Sequence, residues 1–147
     1  MASEMEGMDA REIEALQVYL NEYGQQAEIL SRQLEMIEQR RIESAAAIEA
    51  LQSLKEQAGG IVLLPLGGGT TIRVRVEDPE KVLVNIGADV VVERANADAQ
   101  AFLQDRLAEL EALSKRVSSN IDQIRNQMTE IARRIESGYR QPKEEGG

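Results

Sequence analysis

Residues that could carry out catalysis are scarce in this sequence. Its 147 residues include no histidine and no cysteine, which excludes imidazole acid–base catalysis, thiolate nucleophiles, disulfides and thiolate metal sites. Carboxylates remain, for example Glu109 with Glu111 and Glu144 with Glu145. Their spacing is that of a helix surface, so we interpret them as a solvated face rather than an acid–base pair or a metal site. We therefore predict no catalytic residue, no metal and no cofactor, and a protein that is not an enzyme.

Three consecutive glycines at positions 67–69 are a candidate phosphate-binding loop. In a P-loop the glycines are followed by Lys and Ser or Thr, and the loop leads into a helix. Here the sequence TTIRVRV follows, and its alternation of apolar and polar residues is typical of a half-buried β-strand. We therefore interpret the glycines as the turn of a β-hairpin.

Composition and charge exclude several classes of partner. The chain has 26 acidic and 17 basic residues and a net charge of -9, which repels phosphate backbones and argues against nucleic acid or an anionic membrane as partner. No apolar signal segment opens the sequence and no run approaches ~18 uninterrupted apolar residues, so we expect a soluble, cytoplasmic protein. With one Phe, three Tyr and no Trp, a large globular core is not expected.

The first third of the chain has the apolar spacing of a coiled-coil helix. Apolar residues recur at intervals of three and four, and charged residues occupy the positions between them. Asp9 is a suitable N-cap, while Gly59 and Gly60 supply a stop. We predict one helix over residues 9–58, preceded by a frayed or disordered segment at residues 1–8. Its apolar seam positions are Ile13, Leu16, Leu20, Tyr23, Ala27, Leu30, Leu34, Ile37, Ile48 and Leu51.

The last third of the chain repeats this pattern. We predict a second helix over residues 96–138, because Asn96 or Asp98 can cap it and Gly138 with the following Pro142 can end it. The tail, residues 139–147, is expected to be disordered. The second seam contains Leu103, Leu107, Leu110, Val117, Ile121, Ile124, Met128, Ile131 and Ile135. Two long helices with narrow apolar stripes need partners, so we predict that they fold back on each other as an antiparallel coiled-coil hairpin.

Polar residues interrupt both seams. Arg41 and Ser44 break the first seam and Ser114 breaks the second. Arg41 and Ser114 lie equally far in sequence from Gly59 and Asn96, so the prediction places them at a similar height along the hairpin. Two interpretations stay open. Arg41 loosens the seam locally and extends its charge to water, or the polar layer fixes the register or adds flexibility.

Residues 59–95 have the pattern of four short strands, at 61–66, 70–76, 81–86 and 90–93. Glycines and the Asp78-Pro79 pair mark the turns between them, which predicts two β-hairpins. Two hairpins are marginally stable alone, and their open edges and apolar faces require strands from other chains. The predicted assembly residues are Ile61, Leu63, Leu64, Leu66, Ile72, Val74, Val76, Val82, Val84, Ile86, Val90 and Val92. The predicted fold is therefore α+β, with an oligomeric assembly module at the turn of a coiled-coil hairpin.

These features resemble those of a known family. The run LLPLGGGTTIRVRVEDPEKVLVNIGADVVVER, flanked by heptad helices, is similar to the α-type subunits of archaeal prefoldin. The most specific element is the apolar-Pro-apolar-glycine turn at residues 64–69 together with VNIGADVVV at residues 84–92. The resemblance covers about residues 10–138. Four strands rather than two distinguish the α-type from the β-type subunit.

The resemblance implies a chaperone subunit. Its expected partners are β-type prefoldin subunits, in a heterohexamer of two α and four β subunits whose hairpins form a double β-barrel platform with six coiled-coil arms. The arm tips would hold non-native client proteins and pass them to a group II chaperonin without ATP. A structural scaffold or tether that oligomerises through its hairpins is the alternative.

The predicted topology brings both chain ends together at the end of the arm, away from the strands. The candidate client-binding residues, here called the tip residues, are Met5, Met8, Ile13, Leu16, Met128, Ile131, Ile135 and Tyr139. Five of them are seam residues, and packing is their simplest role. If the arm frays, the same side chains become a mobile apolar patch, and flexible methionine suits contact with many partners.

Overall fold

The computed structural model describes residues 9–56 and 60–146, with side chains described as far as Tyr139. Along the chain, one long helix is followed by four strands and then a second long helix, which confirms the predicted α+β class. The elements are α1 Ala10–Glu56, β1 Ile61–Gly67, β2 Thr70–Arg75, β3 Lys81–Gly87, β4 Val90–Ala95 and α2 Asn96–Gly146. The predicted N-terminal segment 1–8 and the predicted helix end at residue 58 lie outside the described residues.

The chain divides into two compact units. One contains Met1–Ile37 and Leu113–Gly147, and the other contains Glu38–Ala112.

In the first unit, the two helices pair antiparallel. Asp9 caps α1, because its Oδ1 accepts a hydrogen bond of 2.9 Å from the backbone N–H of Glu12. Further along, the Gln17 side-chain amide donates to the hydroxyl of Tyr139 over 3.4 Å. Gly24 faces Met128, whose Cε would lie 3.6 Å from a β-carbon at position 24. The partner number falls as the α1 number rises, as antiparallel packing requires.

Seam residues form the core in both units. The buried apolar side chains of the first unit are Ile13, Ile37, Val117, Ile121 and Ile131, and those of the second are Ile48, Ala99 and Leu110. All but Ala99 are predicted seam positions. The heptad pattern therefore identified the packed stripe of each helix correctly.

The second helix does not end where the sequence predicted. It continues through Gly138 to Gly146, so the predicted stop at Gly138, with a disordered tail after it, is wrong. Gly138 is buried and follows Ile135 by three residues, which makes it the next position of the seam. A glycine inside a helix costs only about 1 kcal/mol relative to alanine, and packing of the seam can offset that cost. Pro142 also lies within the helix and removes one backbone donor.

The strands form two separate antiparallel hairpins, β1 with β2 and β3 with β4. Gly68 and Gly69 form the first turn with φ of 58° and 78°, and Ala88 and Asp89 form the second with φ of 49° and 60°. Positive φ at both turn residues matches the right-handed twist of the strands. Each hairpin has a β-bulge just before its turn, between Pro65 and Gly67 in the first and between Asn85 and Gly87 in the second.

Candidate functional site

Each hairpin has one face on which every residue is exposed. Residues directly opposite each other in an antiparallel pair project from the same face of the sheet. We call outer faces the sets Ile61, Leu63, Pro65, Thr71, Arg73 and Arg75 in the first hairpin, and Lys81, Leu83, Asn85, Val91, Glu93 and Ala95 in the second. All twelve residues are exposed.

The opposite faces, here called inner faces, are partly covered by the rest of the chain. In the first hairpin Val62 pairs with Val74 and both are half-buried, while Leu64 and Ile72 nearer the turn are exposed. In the second hairpin the inner face contains Val82, Val84, Val92 and Arg94, and its three valines are half-buried. Each inner face therefore carries valines that the chain itself partly covers.

The predicted assembly residues divide into two groups. Five valines are half-buried: Val74, Val76, Val82, Val84 and Val92. The other seven are between 44% and 65% exposed: Ile61, Leu63, Leu64, Leu66, Ile72, Ile86 and Val90. The hairpins thus leave a large share of their apolar surface uncovered in the single chain. Uncovered patches of this kind mark interaction sites in soluble proteins.

Sequence reasoning missed two residues of this surface, Leu83 and Val91. They are 73% and 54% exposed and lie on the outer face of the second hairpin. Their neighbours on that face are polar residues such as Asn85 and Glu93, and the two were not among the predicted assembly residues. Their apolar character on an exposed face was the available signal.

A groove in the second unit lies beside the second hairpin. Its volume is about 380 Å³, and side chains from α1, β3 and α2 line it, among them Leu51, Val82 and Phe102. The guanidinium of Arg106 lies 4.7 Å from the centre of the Phe102 ring, a favourable cation–π geometry. The helices α1 and α2 thus lie on the same groove as the valines Val82 and Val84 of the inner face.

Asn96, at the start of α2, ties this unit together. Its side chain is fully buried, and its amide nitrogen donates to the carbonyl oxygens of Leu51 at 3.1 Å and Pro79 at 2.9 Å. Its side-chain oxygen accepts from Gln100 at 2.7 Å, and its backbone N–H donates to Glu80 at 2.8 Å. Asn96 therefore joins the end of α1, the connection between the hairpins and the start of α2. The sequence indicated only its role as a helix cap.

The polar seam position Arg41 lies in the same unit and is half-buried. Its Nη1 donates to both carboxylate oxygens of Glu38, at 2.8 and 3.0 Å, and its Nη2 lies 3.7 Å from Oε1 of Glu111 on α2. Its Nε is buried and has no hydrogen-bond partner. The charge of Arg41 is thus paired with carboxylates, but the hydrogen-bond donor at its Nε has no acceptor.

The tip residues that the structure describes all belong to the first unit. Ile13 and Ile131 are buried, and Leu16, Met128 and Ile135 are half-buried, as packed seam residues should be. Tyr139 differs, since it is 52% exposed. Met5 and Met8 lie outside the described residues.

Charges and exposed apolar residues surround the tip residues. Glu130 accepts two hydrogen bonds of 2.8 Å from Arg133, and this contact raises the pKa of the guanidinium above its ordinary value. Val18 and Tyr19, which the sequence analysis did not select, are 55% and 54% exposed on α1. They lie outside the heptad seam, so the heptad pattern did not identify them.

Within the described residues, His, Cys, Asp and Glu side chains form no group of three or more that could hold a metal ion. Among the same residues, no helix is long and apolar enough to span a membrane.

Comparison with known proteins gives consistent results. A family model described as "Prefoldin subunit" matches residues 23–141. The chain is 59% identical over 136 residues to Prefoldin subunit alpha of Methanoculleus marisnigri, covering 92% of this chain and 91% of that protein. It is 54% identical over 134 residues to Prefoldin subunit alpha of Methanoregula boonei, covering 91% and 88%. A chain in the cryo-EM structure of filamentous PFD from Methanocaldococcus jannaschii shares the fold, with a TM-score of 0.67 and 21% identity over 78% of this chain and 95% of that one.

Proposed function

Because the chain belongs to the prefoldin family, among the archaeal α-type subunits, we propose that it is a subunit of an ATP-independent holding chaperone. In this proposal two copies assemble with four β-type subunits in the cytoplasm. The complex captures non-native proteins and delivers them to a group II chaperonin. The chain itself performs no chemistry.

The observation that carries the proposal is the apolar surface of the hairpins. Leu63, Leu66 and Leu83 are 63% to 73% exposed in the single chain, and the outer edges of both two-stranded sheets lack a neighbouring strand in the described part of the chain. Open edges and exposed leucines favour association. Closure into a barrel with strands of other subunits would remove the edges and bury the leucines together.

Client binding is proposed at the tip residues. In the single chain Ile13 and Ile131 are packed, so they can bind a client only when the helix ends separate. Helix ends fray most easily, because their last turns have the fewest contacts. Tyr139 is already exposed and would offer an aromatic contact before separation. Apolar contact of this kind needs no nucleotide, since burial of apolar surface supplies the free energy.

An aggregation assay tests the proposal. The chain is reconstituted with a β-type subunit, and a chemically unfolded, aggregation-prone enzyme is diluted into it while light scattering is recorded. We expect suppression of scattering at stoichiometric amounts of hexamer, equal with and without ATP. A second arm adds a group II chaperonin with ATP and measures recovered enzyme activity. A hexamer that forms but leaves scattering unchanged would identify the chain as a structural scaffold instead.

A further inference from the structure

The groove beside the second hairpin has the composition of a small-molecule site. Its volume of about 380 Å³ lies at the lower end of the range of roughly 300–1,000 Å³ that such sites occupy. Most of its lining is apolar, and Arg106 is the one charged residue among the described residues that line it. An apolar lining with a single charged group is typical of a site that binds a small molecule and fixes its orientation.

Small residues keep the groove open. Ala47 and Ala50 of α1 and Ala99 of α2 line it, at positions where longer apolar side chains would fill the space between the helices and β3. Ala50 is exposed, so the groove is open to solvent on the side of α1. A ligand can therefore enter it without local unfolding of the chain.

The chain does not neutralise the charge at the groove. Arg106 is absent from the ion pairs found in the described part of the chain, although Glu109 lies three residues further along α2. By contrast, Arg41 and Arg133 each pair with a glutamate three residues away. The guanidinium of Arg106 lies over the Phe102 ring instead. It can thus accept a carboxylate from outside the chain, in the two-pronged geometry that arginine favours.

We propose that this groove binds a small amphipathic carboxylate, with its apolar body against Leu51 and Phe102 and its carboxylate on Arg106. The groove admits roughly a dozen non-hydrogen atoms at about 30 Å³ each, which is the size of a medium-chain fatty acid. A bound ligand would contact α1, β3 and α2 together and stabilise the second unit against unfolding. The inference goes beyond the proposed function, since these three side chains are neither tip residues nor predicted assembly residues.

The single Phe of the chain gives a direct readout of the groove. Because the sequence contains one Phe, incorporation of fluorophenylalanine places one fluorine label in the full-length chain, on the ring that lines the groove. Decanoate is titrated into the labelled chain, and decylammonium serves as a probe of equal length and opposite charge. We expect decanoate to shift the fluorine NMR signal saturably. It should bind about tenfold more tightly than decylammonium, because only the carboxylate forms a charge-assisted hydrogen bond with Arg106.

Two variants separate the charge from the apolar groove. Arg106→Gln should raise the Kd of decanoate by roughly tenfold and bring the Kd values of the two probes together. Ala50→Leu should also raise the Kd of decanoate, because the longer side chain fills the groove while the charge is retained. The matched control is Arg116→Gln, which removes a positive charge at another exposed position of α2 and should keep the wild-type Kd. Circular dichroism verifies that each variant is folded.

Three results would overturn the inference: a fluorine signal that decanoate does not shift, equal affinity of the wild type for both probes, or wild-type affinity in Ala50→Leu. Tighter binding of an acidic, leucine-rich peptide than of decanoate would identify a peptide site instead. Aggregation suppression is measured without decanoate, so failure of this inference remains distinct from failure of the chaperone function.

Discussion

The side-chain amide nitrogen of Asn96 lies 3.1 Å from the carbonyl oxygen of Leu51, a hydrogen bond across 45 positions of sequence. The same nitrogen also donates to the carbonyl of Pro79. One buried side chain therefore holds the end of the first helix and the connection between the hairpins against the start of the second helix.

Asn96→Ala should destabilise the chain by about 2 to 4 kcal/mol, because it leaves the carbonyls of Leu51 and Pro79 without their donor. Urea unfolding followed by circular dichroism measures the change. Asn96→Asp keeps the acceptor for Gln100 but cannot donate to Leu51 or Pro79, so it should also destabilise. The control is Asn126→Ala at an exposed position of α2, which should change the free energy of unfolding by less than about 0.5 kcal/mol. If Asn96→Ala and the control unfold with equal free energies, Asn96 does not stabilise the fold.

Arg41→Leu tests the polar layer of the seam. If Arg41 only loosens the seam, leucine should raise the free energy of unfolding, because apolar burial at a seam position then outweighs the loss of partly exposed ion pairs to Glu38 and Glu111. Arg40→Leu, at an exposed neighbouring position, is the control for added hydrophobicity. Thermal unfolding measures both variants. A lower melting temperature for Arg41→Leu alone would favour the other interpretation, in which Arg41 fixes the register.

Val74→Asp tests the assembly surface. Val74 is half-buried across from Val62 on the inner face, where the proposed complex would bury it fully. An unpaired carboxylate there should cost about 3 kcal/mol or more, which corresponds to over a hundredfold loss of assembly affinity. Size-exclusion chromatography with the β-type partner measures assembly, and helix content should be retained. Val18→Asp, the same change at an exposed position of α1, should leave assembly intact. A stable hexamer with Val74→Asp would contradict the placement of this face.

Deletion of residues 1–12 together with residues 132–147 tests the tip. The deletion removes Met5, Met8, Ile135 and Tyr139 but retains most of both seams and all four strands, so the hexamer should still assemble. Suppression of client aggregation should fall only in part, because the proposed complex keeps the arms of its four β-type subunits. The comparison is made per intact hexamer, with the oligomeric state measured in the same sample. Full protection of both small and large clients would place client binding elsewhere.

Local patterns determined much of this fold. Helix seams were predictable because packing of two helices buries every third or fourth residue, and the seam positions from Ile13 to Ile135 are buried or half-buried. The hairpins were predictable because glycines at positions 67–69 permit the positive φ that a tight turn requires. Both signals depend on neighbours close in sequence, so they can be read without knowledge of distant contacts.

Long-range contacts decided the rest. Gly138 has the local signature of a helix stop, but its place in the seam keeps it within α2. Leu83 was not among the predicted assembly residues, and only the folded hairpin shows it 73% exposed on the outer face, across from Glu93. The partners of Asn96 lie 45 and 17 residues away. Such roles depend on which backbone groups tertiary packing brings together. The periodicity of a sequence does not determine these long-range contacts.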